Sequence, residues 1–210
     1  MKTLLSLFDY SGNWAEPYAL AGWNVIMWDI KHTTDMYSTF SDINDACAEF
    51  FYDEIFDNYG TVDGILAALP CTDFAGSGAR WWKEKDDDGR TKTSIDLAYQ
   101  TLRIIDLCMP DFWVIENPVG RLSKLVPEVG KPQYFQPYHY GDPYTKKTGL
   151  WGDFNFPKPT NIVEPIMYTN SKGQRGSYQW AKLGGKSART KELRSITPMG
   201  FAQAFYQANN

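Results

Sequence analysis

Cysteine is scarce in this chain: Cys47, Cys71 and Cys108 are the only three among 210 residues, and they are widely scattered. That is too few for a disulfide framework or a zinc site, so no metal is expected and a reducing, cytoplasmic setting is the default. Long apolar runs are missing as well. None approaches the roughly 20 residues of a bilayer span, so no membrane partner is expected. Residues 1–20 lack the basic start, unbroken apolar stretch and small-residue cleavage site of a secretory signal. The fingerprint G-x-G-x-x-G is absent too, so a dinucleotide is not indicated, and no internal repeat is visible.

What is present is a globular composition. Hydrophobic residues at 43% and aromatics at 16% are enough to bury a core, and the length suits one domain or one and a half. The net charge of −4 hides a division. Residues 1–120 carry 8 Lys and Arg against 20 Asp and Glu, a balance of −12, whereas residues 121–210 carry 13 against 5, a balance of +8. Such polarity suits a basic face for a polyanion beside an acidic remainder, although solvated surface charge gives the same count.

The first two-thirds alternates strand-like and helix-like segments. Strands are expected over 3–8, 24–28, 62–69 and 112–115, and helices over 14–21, 45–56 and 93–108. This alternation predicts an α/β fold, a mostly parallel sheet with helices on both faces. Residues 76–90, with Gly76, Gly78 and the Asp86-Asp87-Asp88-Gly89 run, read as a long mobile loop. Beyond Pro118 the periodicity weakens until a terminal helix with Thr197 as N-cap and Pro198 at its first position.

Ligands of open parallel sheets bind outside the carboxyl ends of the strands. Those ends carry Asp9, Asp29, Cys71 and Glu116. Each has an ordinary structural reading as a cap, a loop acid, a small core hydrophobe or a surface carboxylate; together they mark a site. The Ser11-Gly12 turn lets a ligand approach the backbone at a helix start. Asp29, about 20 residues on, stands where Rossmann-like folds bind a ribose diol. Asp42-Ile43 comes next as an adenine-side pair, an acid beside an apolar contact.

These segments carry a resemblance. Leu5-Ser6-Leu7-Phe8-Asp9 with Gly12, then Ser41-Asp42-Ile43, Leu69-Pro70-Cys71-Thr72-Asp73-Phe74-Ala75, Val114-Ile115-Glu116-Asn117-Pro118, and Tyr140-Gly141-Asp142-Pro143 with Lys146-Lys147-Thr148 and Leu150-Trp151-Gly152 occur in that order. The series resembles the motifs of DNA cytosine-5 methyltransferases, from residue 4 to about residue 152. The Pro-Cys and Glu-Asn pairs, their Cys71 and Glu116 45 residues apart and each after an apolar strand, are the most specific part.

The resemblance implies a Rossmann-like fold that uses S-adenosylmethionine and leaves S-adenosylhomocysteine. Phe8, Asp9, Ser11, Gly12, Asp29, Ile30, Asp42, Ile43 and Pro70 are its implied binding residues. Cys71 is the implied nucleophile on C6 of cytosine, because a thiolate adds and leaves readily. Glu116 is the implied acid at N3, with a pKa raised by burial, and Lys147 the implied cation beside the base. Asn117, Arg80, Lys83 and Thr148 are the implied substrate contacts. A paired cytosine must be flipped out to reach Cys71, and the 74–90 loop is expected to close over it, with Gly76 and Gly78 as hinges. Trp81-Trp82 would stack on bases or else pack internally.

Departures from the family pattern define the rest. Tyr10 stands where glycine is usual, Thr72 where Gln or Asn is common, Pro118 where Val is, and Lys146-Lys147-Thr148 where an Arg-x-Arg pair is. The expected organisation is a catalytic and donor-binding domain over 1–152, a short basic segment over 153–191 in place of a target-recognition domain, and a helix over 192–210 packing back. The implied partner is DNA, read with low or short sequence specificity or with help from a separate specificity partner. RNA, a nucleotide or a modified pyrimidine is the alternative acceptor, and a non-catalytic nucleic-acid binder the alternative class.

Overall fold

The computed structural model describes residues 1–31, 48–177 and 187–210. The run Thr3–Leu7 forms β1 with all five residues buried. Strands β2 (Asn24–Trp28), β3 (Gly64–Ala67) and β4 (Phe112–Pro118) join it in a parallel sheet of order β2-β1-β3-β4. Strands β5 (Gln133–Phe135) and β6 (Thr148–Asp153) extend it antiparallel, β6 beside β4 and β5 at the edge. A separate hairpin pairs β7 (Met167–Thr169) with β8 (Arg175–Ser177). The described helices are α1 (Glu16–Leu20), α2 (Ala48–Tyr59), α3 (Trp82–Asp87), α4 (Arg90–Cys108), α5 (Leu122–Leu125), α6 (Ala188–Ser195) and α7 (Met199–Ala208). None of them is long and apolar enough to cross a membrane.

The expected fold class is the one observed. Successive strand side chains point to opposite faces, so the short apolar strands feed two cores. Leu5, Leu7, Ile26, Ile65, Ala67 and Ile115 pack under α2 and α4 through Phe51, Ile55, Leu97 and Ile105. Leu4, Leu66, Phe112, Val114 and Leu150 face Trp14, Tyr18 and the α7 residues Phe201 and Phe205. Phe201 stacks flat on Phe135 of β5, with centroids 3.7 Å apart.

The C-terminal helix begins one residue later than expected, with Pro198 as N-cap. Proline offers no side-chain acceptor, and the Asp142 carboxylate takes the Gly200 N–H instead. Gly200 is required there, because a Cβ would lie 1.8 Å from the Tyr140 carbonyl oxygen. Strand β4 also exceeds its expected length. It runs through Glu116, Asn117 and Pro118 because β6 pairs with them.

The register sets the position of the site. Leu7 lies opposite both Trp28 and Ala67, and Ala67 lies opposite Ile115. The four parallel strands therefore run level at this point, and the segments that leave β1, β2 and β3 gather with the end of β4 along one edge of the sheet.

Candidate active site

At the end of β1, Phe8 adopts a left-handed φ of 61° and donates its N–H to the Trp28 carbonyl at 2.6 Å. A non-glycine residue rarely adopts this conformation, and here it turns the chain sharply off the sheet. Asp9, 6% exposed, organises the next turn. Its carboxylate accepts from the Gly12 N–H at 2.9 Å and from the hydroxyls of Ser11 and Ser6, both at 3.1 Å. Asp9 thus shapes the loop from within rather than facing solvent. Gly12 (φ 71°) carries the left-handed turn into the helix.

At the end of β2, Asp29 is half-buried and accepts the Lys31 N–H at 2.9 Å. Ile30 beside it is 69% exposed. Tyr10 is exposed, and Lys31 Nζ lies 5.0 Å from its ring centroid, so these two strand ends are bridged at the surface. Phe8, Ser11, Gly12, Asp29 and Ile30 therefore share one side of the edge. Asp42 and Ile43 lie outside the described residues.

The nucleophile candidate comes after β3. Asn117, fully buried on β4, donates its amide to the Leu69 carbonyl at 3.0 Å. That bond ties the exposed Pro70-Cys71 turn to the strand carrying Glu116. The Cys71 thiol reaches solvent yet is crowded by protein, and burial together with the neighbouring Glu116 charge pushes its pKa up, burial having the larger effect. Lys146 and Arg194 pull in the opposite direction. Burial likewise raises the half-buried Glu116 carboxyl, with Lys146 partly opposing. An acid with a raised proton affinity beside a thiol, with cations at hand, suits addition to an electron-poor ring.

Several residues stand elsewhere than the sequence led us to expect. Lys147 is exposed, and its ammonium lies 4.3 Å from the Tyr134 ring centroid on β5. Lys146 is the cation that acts on both Cys71 and Glu116. Strand parity accounts for the exchange. Leu150 pairs with Glu116 and Thr148 with Pro118, so Lys146 continues the parity of that face while Lys147 takes the other. Thr148 is fully buried, with its hydroxyl donating to the Lys146 carbonyl at 2.9 Å. The Asn117 and Thr148 side chains are thus buried and bonded within the fold, not presented at its surface.

The 76–90 segment is not a loop. A 3-10 turn (Gly76–Trp81) leads directly into α3. Gly76 is no free hinge, because its N–H donates to the Val119 carbonyl at 2.9 Å. Beside it Gly120 approaches so closely that a Cβ would sit 1.9 Å from the Phe74 carbonyl oxygen. The Trp pair divides: Trp81 is exposed under the Arg80 guanidinium at 5.2 Å, whereas Trp82 lies under Arg121 at 4.6 Å. Lys83 forms an exposed ion pair with Asp87 at 2.6 Å. Surface pairs of this kind are weak, so both Arg80 and Lys83 are accessible to a phosphate.

Lys146 stands at the first position of the family's Arg-x-Arg pair but was passed over for Lys147, and Arg194 falls in no motif. The signal available was the basic second half of the chain, to which both belong. Replacing Lys146 by Met is expected to lower turnover by roughly 10²-fold, the usual loss for one electrostatic stabiliser. Lys147→Met should change it by less than about threefold on the same scale, and steady-state kinetics on both variants checks the pair.

A family profile described as C-5 cytosine-specific DNA methylase matches residues 2–126. Among solved structures, a candidate DNA modification methyltransferase encoded within an E. coli prophage aligns with a TM-score of 0.56 and 17% identity, covering 92% of this chain and 69% of its own. The Entamoeba histolytica methyltransferase EhMeth aligns with a TM-score of 0.50 and 12% identity, covering 80% of this chain and 58% of its own. At such identities the likeness is one of fold. The search of curated proteins returned no match.

Proposed function

Because the chain belongs to the C-5 cytosine-specific DNA methylase family, we propose that it transfers a methyl group from S-adenosylmethionine to C5 of cytosine in DNA, through a covalent bond between Cys71 Sγ and C6. The observation that carries this reading is the placing of Cys71 and Glu116 together beyond adjacent parallel strands, where the Asn117 bond to Leu69 ties the two segments and the Glu116 charge is felt by the thiol.

The residues present suit the donor. Asp29 keeps a half-buried carboxylate at a strand end, Ile30 offers an exposed apolar face, and the Phe8 to Gly12 turn exposes backbone beside it. When bound, S-adenosylmethionine supplies an electrophilic methyl group on a sulfonium. Asp29 would hold the ribose hydroxyls, Phe8 and Ile30 the adenine faces, and Ser11 and Gly12 the polar end. Asp42 and Ile43 are proposed for the adenine edge.

The chain's own residues perform the rest. Cys71, which reaches solvent, would give its proton to water, and the thiolate sulfur would bond to C6, moving the C5–C6 electron pair into the ring. Glu116, whose proton burial holds more tightly than usual, would donate to N3 and offset the charge that develops there. Lys146, whose charge favours the ionised thiol, would stabilise the thiolate before addition and the electron-rich adduct after it. C5, made electron-rich by that addition, would take the methyl group that the bound donor supplies, leaving S-adenosylhomocysteine. The C5 proton then passes to water, and its electron pair reforms the C5–C6 double bond as the C6–S bond breaks and releases the Cys71 thiolate. Arg80 and Lys83 would hold phosphates of the flipped strand.

Incubation with donor labelled in the methyl group and mixed-sequence DNA tests the proposal. The expected product is 5-methylcytosine in DNA. Label appearing only in RNA or free nucleotide would move the acceptor, and no label in any pyrimidine would overturn the reading.

A further inference from the structure

The backbone just past the nucleophile is held at every carbonyl. The Cys71 carbonyl accepts from the amides of Phe74 at 3.1 Å and Ala75 at 2.9 Å. The Thr72 carbonyl accepts from the Lys85 ammonium. The Asp73 carbonyl accepts from Arg121 Nε at 2.9 Å, and the Phe74 carbonyl from the Arg121 amide at 2.9 Å. Two buried cations thus meet one stretch of chain, Lys85 at 7% and Arg121 at 8% exposure.

Both cations are matched. Lys85 pairs with Asp73 at 3.1 Å, and Asp73 also accepts the Ser94 hydroxyl of α4 at 2.7 Å. Arg121 makes a two-pronged pair with Asp86 of α3, both contacts at 2.8 Å, and donates to the Thr91 hydroxyl at 2.9 Å. The pairing holds the Asp86 carboxyl down at a pKa of about 2. The planar guanidinium pairs with Asp86 through two prongs while also reaching the Asp73 carbonyl and the Thr91 hydroxyl, a fixed fork that the compact point charge of an ammonium does not reproduce. Ordinary fold maintenance does not call for two desolvated cations on four residues next to an exposed thiol, since burying charge is expensive.

We propose that Arg121, with Asp86 and Lys85, is a positioning clasp that fixes the Cys71 turn in its attacking place before any substrate arrives. In this arrangement α3 is a wall of the site rather than a swinging lid. The covalent part of the proposal rests on the cytosine reading above; the clasp itself does not.

The test measures two properties of Cys71 in the full chain, for wild type, Arg121→Met, Arg121→Lys and Asp86→Asn, with Lys92→Met as an exposed-pair control. The first is timed alkylation by iodoacetamide, read by peptide mass spectrometry as the ratio of Cys71 to Cys108. The second is the rate of adduct formation on DNA carrying 5-fluorocytosine. Freed from the clasp, Cys71 loses some of the burial that suppresses its thiolate, so the alkylation ratio should rise several-fold. The adduct rate should fall by at least about tenfold, because misplacement by a single ångström is enough to lose that much. Arg121→Lys should recover only part of the loss, and Asp86→Asn should move both readouts the same way by less. Opposite movement of the two readouts supports the clasp. Both readouts within about twofold of wild type, or both cysteines accelerating together as in simple unfolding, would overturn it. If Arg121→Met does not fold, Asp86→Asn decides on the same two readouts. If wild type itself forms no adduct, the cytosine reading fails while the alkylation ratio still decides the clasp.

Discussion

Replacing Cys71 by alanine is expected to abolish methyl transfer, a loss on the order of 10⁴-fold or more, while donor binding and thermal stability stay as they are. A nucleophile that forms the bond to substrate has no substitute within reach, and removing one from a working unit leaves only binding and electrostatic stabilisation. The other free thiol among the described residues, Cys108, lies at the far end of α4 and does not neighbour Glu116. Stability should hold because Cys71 is solvent-exposed, so truncation opens no internal cavity. Cys71→Ser should be almost as inactive, since an alkoxide is far harder to generate than a thiolate at neutral pH. Labelled-methyl transfer gives the first result, and calorimetric titration of donor with thermal melting gives the second. Residual transfer within about tenfold of wild type would mean that the ring is not activated through Cys71.

The strand ends were legible because short apolar runs that stop at polar residues leave few alternatives. Asn24–Trp28 appears as expected, and Asp29, Cys71 and Glu116 stand at the ends of level strands. The parts that were not legible depended on partners distant in sequence. Residues 82–87, rich in Asp and Lys and preceded by two glycines, look like a loop on local propensity. They are helical because Asp86 meets Arg121, 35 positions away, and Lys85 reaches back to Thr72 and Asp73. Pro118 looked like a strand terminator, yet it ends a strand that β6 extends by pairing from the other direction. The choice between Lys146 and Lys147 turned on strand parity set by a register that no motif carries. Asn117 looked like a substrate contact because it adjoins Glu116, but alternation sends its side chain into the opposite core face, where it holds Leu69.

The division of charge along the chain acquires a local meaning at the same point. Glu116 and Asp73 belong to the acidic first 120 residues, while Arg121, Lys146 and Arg194 belong to the basic remainder. Arg121 locks the nucleophile turn, and the other two lower the Cys71 pKa. Cations from the second part of the chain thus complete a site whose thiol and acid come from the first. A duplex offered to this edge would meet Arg80 and Lys83 on the same segment that the clasp secures.

The second large effect is expected at Glu116, and its signs separate two roles. Glu116→Gln keeps the shape but supplies neither a proton nor a charge. Turnover should fall by roughly 10²- to 10⁴-fold, the range for a positioned acid. Alkylation of Cys71 should accelerate at fixed pH near 8, because the Glu116 charge is one of the causes that raise the thiol pKa and glutamine removes it. Stability should move the same way as alkylation. The Glu116 carboxyl has a folded pKa above its ordinary value, so the folded state binds its proton more tightly than the unfolded chain does. That advantage is fully present below the unfolded value, near 4.3, and is lost as pH rises through the folded pKa. Above that window the wild type carries a desolvated carboxylate that the glutamine variant does not. The variant should therefore melt higher than wild type at pH 8 and converge with it towards pH 4, as tracked by thermal scans across that range. A variant that loses activity and also melts lower at pH 8 would show that Glu116 is held ionised, and the acid role assigned to it would fall.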